Sequence, residues 1–273
     1  MKRVLASLLL LLATGAFGAG PYQLFAHRGG VVEDKFPDNS AAALQAAVAR
    51  GYRGLEVDIR ETKDGVLVMQ HDPDLQHNFG DARKIAESTW DELQPLRTKS
   101  GDQALWTFDD VVRAAHAAGL RLMLDPKAPH SADFPAKVEA VLAQHGMLAS
   151  CYVIGTADVM NRLTGKARVG KKFRSLKPLI EGDAALREKY FLFEEGRNLT
   201  PEMVRWAQAR DILVVPSINT YHYYDAATMA GKAREEIAPV ILAAARKHIE
   251  QFKALGVTEF QIDSEFDGWF GQP

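Results

Sequence analysis

The chain has 273 residues, of which 47% are hydrophobic, 25% charged and 9% aromatic. That balance excludes a disordered chain, a collagen-like fibre or a disulfide scaffold. Its 33 basic residues face 35 acidic ones, so no basic surplus points to nucleic acid. The single cysteine, Cys151, has no intramolecular partner, and an apolar core must hold the fold.

Met1-Lys2-Arg3 opens the chain with positive charge, Val4 to Ala13 is apolar, and Thr14 to Ala19 offers the small residues of a signal-peptidase site. The apolar run is too short to span a bilayer comfortably, so residues 1–19 read as a cleaved export signal and 20–273 as the mature domain. No cysteine lies near the cleavage site for lipid attachment. No later segment is apolar enough for a transmembrane helix. The expected location is periplasmic or secreted, without stable membrane insertion. The oligomeric state is not encoded in any pattern of the chain.

Downstream, strand and helix alternate. Gln23 to Ala26 is a short apolar run ending at His27-Arg28-Gly29-Gly30, and Asn39 to Gly51 carries Ala and Leu at helical spacing before a glycine stop. Gly54 to Ile59 alternates as a strand, and Lys63-Asp64-Gly65 turns it into a hairpin with Val66 to Gln70. Asp74 to Gln103 is polar and weakly patterned, an excursion with a short helix over Thr89 to Leu96. A helix over Thr107 to Ala118 then leads to a strand over Leu120 to Asp125. Further strands fall at Tyr152 to Gly155, Arg168 to Phe173, Tyr190 to Glu195, Ile212 to Ile218 and Glu259 to Asp263. Helices over Pro135 to His145, Pro201 to Arg210 and Ala233 to Leu255 separate most of them. With the hairpin strand set aside, the order of elements predicts an α/β fold, a single-domain (β/α)8 TIM barrel. A doubly wound sheet would require a Gly-rich phosphate loop with spacing that His-Arg-Gly-Gly lacks.

The chemistry gathers at strand ends. Glu56 and Asp58 are two apart on a strand and share a face, while Leu55, Val57 and Ile59 take the other. Two carboxylates turned into a barrel need a cation between them or a basic partner such as Arg60. A hard divalent cation takes oxygen ligands of this kind. Asp125-Pro126-Lys127 repeats the arrangement, adding a third carboxylate and an ammonium on one face; an ordinary Asp–Lys pair is the alternative. His27 and His71 each follow an apolar run at a rim, where histidine can serve as general acid or base, or simply as a structural residue. His77, His116, His130, His145 and His248 sit in helices or polar loops and read as structural.

Taken together, His27-Arg28-Gly29, Pro37-Asp38-Asn39-Ser40, Glu56-Val57-Asp58, Thr62-Lys63-Asp64-Gly65 and His71-Asp72-Pro73 resemble, in order and spacing, the signature of the glycerophosphodiester phosphodiesterase family. Asp125-Pro126-Lys127 and Gly256 to Asp263 are similar to two later family elements. The resemblance implies a TIM barrel that hydrolyses a small-molecule glycerophosphodiester to an alcohol and glycerol 3-phosphate. It implies one divalent cation, Ca²⁺ or Mg²⁺, held by Glu56, Asp58 and Asp125. His27 and His71 would be the acid–base pair, and Arg28 and Lys127 would bind phosphate oxygens. A cyclic phosphate opened by water is the intermediate suggested for the family.

The chain departs from the pattern in places. Asp125 stands where the family usually has Glu, a change shared with the related spider-venom phospholipase D enzymes, which leaves phospholipase D-like action on lysophospholipids as an alternative. A catalytically silent barrel that binds a phosphorylated ligand is another. Pro216-Ser217-Ile218-Asn219 lacks the family's aromatic wall, and Tyr221-His222-Tyr223-Tyr224 or Trp269 and Phe270 could supply one. Gly155-Thr156 is a further small change.

Overall fold

The computed structural model describes residues 21–32, 36–224 and 232–271; the export signal expected over residues 1–19 lies outside them. Strands β1 (Gln23–Ala26) and β2 (Gly54–Glu61) are followed by the hairpin strand β3 (Leu67–Met69) and a small two-stranded sheet, β4 (Asp74–Leu75) with β5 (Asp81–Lys84). Then come β6 (Arg121–Pro126), β7 (Tyr152–Val153), β8 (Arg168–Lys171), β9 (Tyr190–Glu195), β10 (Val214–Ile218) and β11 (Glu259–Ile262). β1 pairs in parallel with both β11 and β2, which closes the sheet on itself. Among the described residues of this sheet only β3 runs antiparallel, against the end of β2. The result is an eight-stranded parallel barrel with helices between strands, the TIM barrel expected from the alternation.

The pleat explains the partition of side chains. Leu55, Val57 and Ile59 of β2 are fully buried in the main apolar cluster with Phe108, Val112 and Phe134 of the surrounding helices. Inside the barrel Phe25, Met123, Tyr152, Phe191 and Val215 form a separate apolar plug. Beneath the plug, the Arg121 guanidinium lies 4.9 Å from the Phe25 ring centre and pairs with Glu259 at 3.2 Å. The floor is therefore sealed, and polar chemistry is confined to the mouth at the C-terminal ends of the strands.

Two expected elements differ. The strand expected over Arg168 to Phe173 ends at Lys171, and Phe173 instead opens a helix, Phe173–Gly182. The backbone N–H of Phe173 donates to the Glu194 carboxylate at 3.2 Å and its ring meets Trp206 edge-on at 5.2 Å, contacts that no local pattern announces. Pro178 inside that helix further masks it in the sequence. The excursion after β3 is ordered around its own small core of Val68, Leu75, Ile85, Leu93 and Leu105. Its helix is a single turn, Trp90–Leu93, capped by Thr89 and Glu92, within the expected Thr89 to Leu96.

Candidate active site

Register builds the acidic centre. β2 and β6 pair so that Asp58 lies beside Asp125 and Glu56 beside Met123, and all of these point into the barrel. One oxygen from each of Glu56, Asp58 and Asp125 lies within 4.8 Å of the others, with Glu56 and Asp58 buried. Asn39 holds Asp58 from two sides: its amide Nδ2 donates to Asp58 Oδ2 at 3.0 Å, and its Oδ1 accepts from the Asp58 backbone N–H at 3.2 Å. The backbone N–H of Arg28 donates to Glu56 Oε2 at 2.8 Å. That approach depends on the turn at Gly29, where a Cβ would stand 2.7 Å from Asn39 Cα and φ is +79°.

Electrostatics follow from the crowding. Burial, and then the neighbouring Asp58, pushes the Glu56 carboxyl up to about 8. Burial likewise raises Asp125, against the pull of Lys127. Asp58 goes the other way: burial works to raise it, but Lys127, His71 and Asn39 together hold it below the usual carboxylate range. The Lys127 ammonium bonds Asp125 at 2.6 Å and Asp58 at 2.9 Å. Three converging carboxylate oxygens of raised or contested charge are a donor set that suits a hard divalent cation.

His27 stands beside this centre, at the end of β1. Its Nδ1 bonds Asp263 Oδ1 at 2.5 Å, and its Nε2 faces Glu56 Oε2 at 3.9 Å. Asp263 is fixed in turn by the Thr220 backbone N–H at 2.6 Å and hydroxyl at 2.8 Å. Burial would lower the His27 pKa, but the bond to Asp263 and the charges of Glu56, Asp263 and Asp58 raise it overall. Asp263 was expected only as the end of the last strand; its partnership with His27 is invisible to local sequence because the two are 236 positions apart. Asn39 belongs to the Pro37–Ser40 element of the family signature, but its bonds to Asp58 join a turn to a strand and no local pattern announces them.

His71 leaves the hairpin on the other side, close enough for its charge to pull on both Asp58 and Asp125. Its Nδ1 is bonded to Asp72 at 2.8 Å. Arg28 and Lys127 both reach the mouth, with Arg28 Nη1 at 3.5 Å from Asp38. All seven residues expected at the site are thus gathered at one end of the barrel.

The rim resolves the open aromatic candidates. Tyr221 is 58% exposed, its ring centre is 6.1 Å from that of His27, and the two line one cleft with Arg28, Val32 and Asp263. Trp269 and Phe270 pack on the barrel end instead, against Phe266 and Phe260. Of the remaining histidines, His130 stacks on Phe134 at 4.3 Å and His145 bonds Asp109 at 2.8 Å, which fits structural roles.

Gly155 explains both a short strand and a close carboxylate. Its φ of +88° takes the backbone out of extended geometry, so β7 stops at Val153 rather than running to Gly155 as expected. A Cβ there would sit 2.5 Å from Asp125 Oδ1 and 2.8 Å from the Pro126 carbonyl oxygen. Gly155→Ala should therefore cost about 1–3 kcal/mol of stability through strain. Displacement of Asp125 should also weaken divalent-cation binding. Thermal unfolding with and without Mg²⁺ reads both effects, and unchanged midpoints would refute them.

With this geometry in place, comparison with known proteins is decisive. The model of the Glycerophosphoryl diester phosphodiesterase family matches residues 27–234, from the first rim histidine through most of the barrel. The chain belongs to this family. A probable glycerophosphodiester phosphodiesterase 2 of Mycobacterium tuberculosis is 33% identical over 103 residues, 38% of each chain. Human glycerophosphodiester phosphodiesterase 1 is 29% identical over 85 residues, 31% of this chain and 25% of that protein. These matches span well under two thirds of the curated relatives' lengths. Among solved structures, a glycerophosphoryl diester phosphodiesterase from Parabacteroides distasonis superposes with a TM-score of 0.67 at 19% identity, covering 90% of this chain and 84% of that one. A phosphodiesterase of Oleispira antarctica, solved with the product sn-glycerol-3-phosphate, gives 0.57 at 16% identity, covering 88% and 92%. At such identities the superpositions speak for the fold.

Proposed function

We propose that this protein is an exported, divalent-cation-dependent phosphodiesterase that hydrolyses glycerophosphodiesters to an alcohol and glycerol 3-phosphate, with His27 and His71 as its acid–base pair. The observation that carries the reading is the single mouth in which a carboxylate triad, Lys127 and the Asp263-held His27 converge. Family membership supports the substrate class, and the apolar leader supports export.

Glu56, Asp58 and Asp125 would hold the cation, which supplies positive charge against the charge that develops on the phosphoryl oxygens. Arg28 and Lys127 supply further donors to those oxygens, Arg28 through its planar fork and Lys127 as a point charge. With Nδ1 engaged by Asp263, His27 exchanges protons through Nε2, the atom that faces the acidic centre. Asp72 leaves the same atom of His71 for the complementary transfer. One histidine deprotonates the attacking hydroxyl while the other protonates the departing alkoxide, so the P–O bond formed and the P–O bond broken balance.

A second reading, phospholipase D-like action on lysophospholipids, is favoured by one observation: Val32 and Tyr221 line the cleft at 37% and 58% exposure, an apolar edge on which an acyl chain could lie. The test is release of glycerol 3-phosphate from glycerophosphodiesters carrying choline, ethanolamine, glycerol or inositol, run beside lysophosphatidylcholine micelles. Release from the water-soluble diesters is expected. Head-group loss from micelles alone would select the second reading, and no turnover of either by folded protein with Mg²⁺ or Ca²⁺ would leave a silent binding barrel.

A further inference from the structure

Arg60 lies one inward position beyond Asp58 on β2 and is only 8% exposed. A buried guanidinium is costly unless its donors are satisfied, and it is usually met by a carboxylate or phosphate. Here its hydrogen bonds go to backbone carbonyls on two different loops. Nε and Nη2 both donate to the His71 carbonyl oxygen, at 3.0 and 2.6 Å, and Nη1 donates to the Ala128 carbonyl oxygen at 2.9 Å. These are the loops that carry His71 and Lys127.

The surrounding contacts show what the clamp adds. On one side, the Gln70 N–H donates to the Asp58 carbonyl at 3.1 Å, and beyond the loop Ile85 N–H donates to the Pro73 carbonyl at 3.0 Å. Between those anchors, the bond from His71 to Asp72 is local and fixes the ring relative to its neighbour, not to the barrel. On the other side, Lys127 N–H donates to the Ile59 carbonyl at 2.9 Å, and Arg60 catches the next residue. A planar fork on a rigid strand therefore sets the separation of the His71 loop from the Lys127 loop, which no flexible ammonium could do.

We propose that Arg60 is a positioning residue for the reaction: it holds the proposed acid–base group His71 and the proposed phosphate-binding Lys127 at a fixed spacing across the mouth, without itself touching substrate. The proposal rests on the phosphodiesterase reading. A shift of about 1 Å in a reacting group can cost about 10²-fold in rate.

The test is Arg60→Met made in the wild-type chain and in a His71→Ala background. Turnover of glycerophosphodiesters should fall about 10²-fold in the first and by less than about tenfold in the second, because with the ring gone only the Lys127 loop is left to position, and its own bond to Ile59 still holds it. Independently of any activity, protein labelled with ¹³C-histidine should show the His71 ring signal, assigned by its loss in His71→Ala, shifting or broadening in Arg60→Met. Equal loss in both backgrounds with an unmoved ring signal would overturn the proposal. If the wild-type protein hydrolyses no diester, the functional reading fails while the ring signal still decides on the clamp. Should Arg60→Met not fold, Arg60→Lys keeps the charge and lacks the fork; wild-type turnover and ring signal in that variant would overturn the proposal.

Discussion

Replacing His27 with alanine should lower turnover by about 10²–10⁴-fold and leave the barrel folded. The imidazole occupies the end of β1 with one nitrogen on Asp263 and the other toward Glu56, the placement from which its proposed proton transfer would be made. His71→Ala should cost a similar factor from the opposite loop. Steady-state kinetics beside a circular dichroism spectrum decide the matter: near wild-type turnover in either folded variant removes that histidine from the mechanism. Asp263→Asn supplies a sharper reading. Burial lowers the His27 pKa and the bond to Asp263 is the main influence against it, so loss of that carboxylate should let the pKa fall. The limb of the kcat/KM profile that reports His27 should therefore move to lower pH, whichever of the two proton transfers the residue performs. A limb that stays in place would disconnect Asp263 from His27.

Chelation should abolish activity almost entirely, with restoration by Mg²⁺ or Ca²⁺, and Asp58→Asn should mimic the chelated state. The acidic centre also makes the pH dependence of binding specific. Glu56 is pushed up to about 8 by burial and by Asp58, so in the metal-free protein it is largely protonated at neutral pH. A cation must displace that proton to use the carboxylate as a ligand. Affinity should accordingly rise with pH through the neutral range, by up to about tenfold per pH unit, and level off above about 8. Calorimetry in buffers of different ionisation enthalpy measures both the affinity and the proton released. A flat profile with no proton release would show that the cation displaces no proton from Glu56, and full activity in the presence of chelator would show that no cation is needed.

The parts of this site that were legible in the sequence are those that one element carries by itself. The alternation of Gly54 to Ile59 was enough to turn Glu56 and Asp58 inward together, and the apolar runs before His27 and His71 placed both at a rim. What joins separate elements was not legible. Asp125 meets Asp58 only through the register of β6 on β2, and Asn39 reaches Asp58 from a turn 19 positions earlier. Arg60 could be weighed as a partner for the carboxylates, yet its hydrogen bonds go to two backbone carbonyls, atoms that every residue offers. In the excursion after β3, the core residues Val68, Leu75, Ile85, Leu93 and Leu105 are spaced too unevenly for either helical or strand periodicity, so its short elements left no pattern to read. Family resemblance joined His27 to His71 and the three carboxylates; Asp263 lies past the matched segment and needed the closed barrel.

The bond between His27 and Asp263 ties the opening strand of the barrel to the final one. Without β11 against β1, the histidine would lack the carboxylate that engages its Nδ1, although the acidic centre lies wholly on β2 and β6. The candidate site therefore draws on both ends of the barrel, and the pair that faces Glu56 exists only where the sheet is closed.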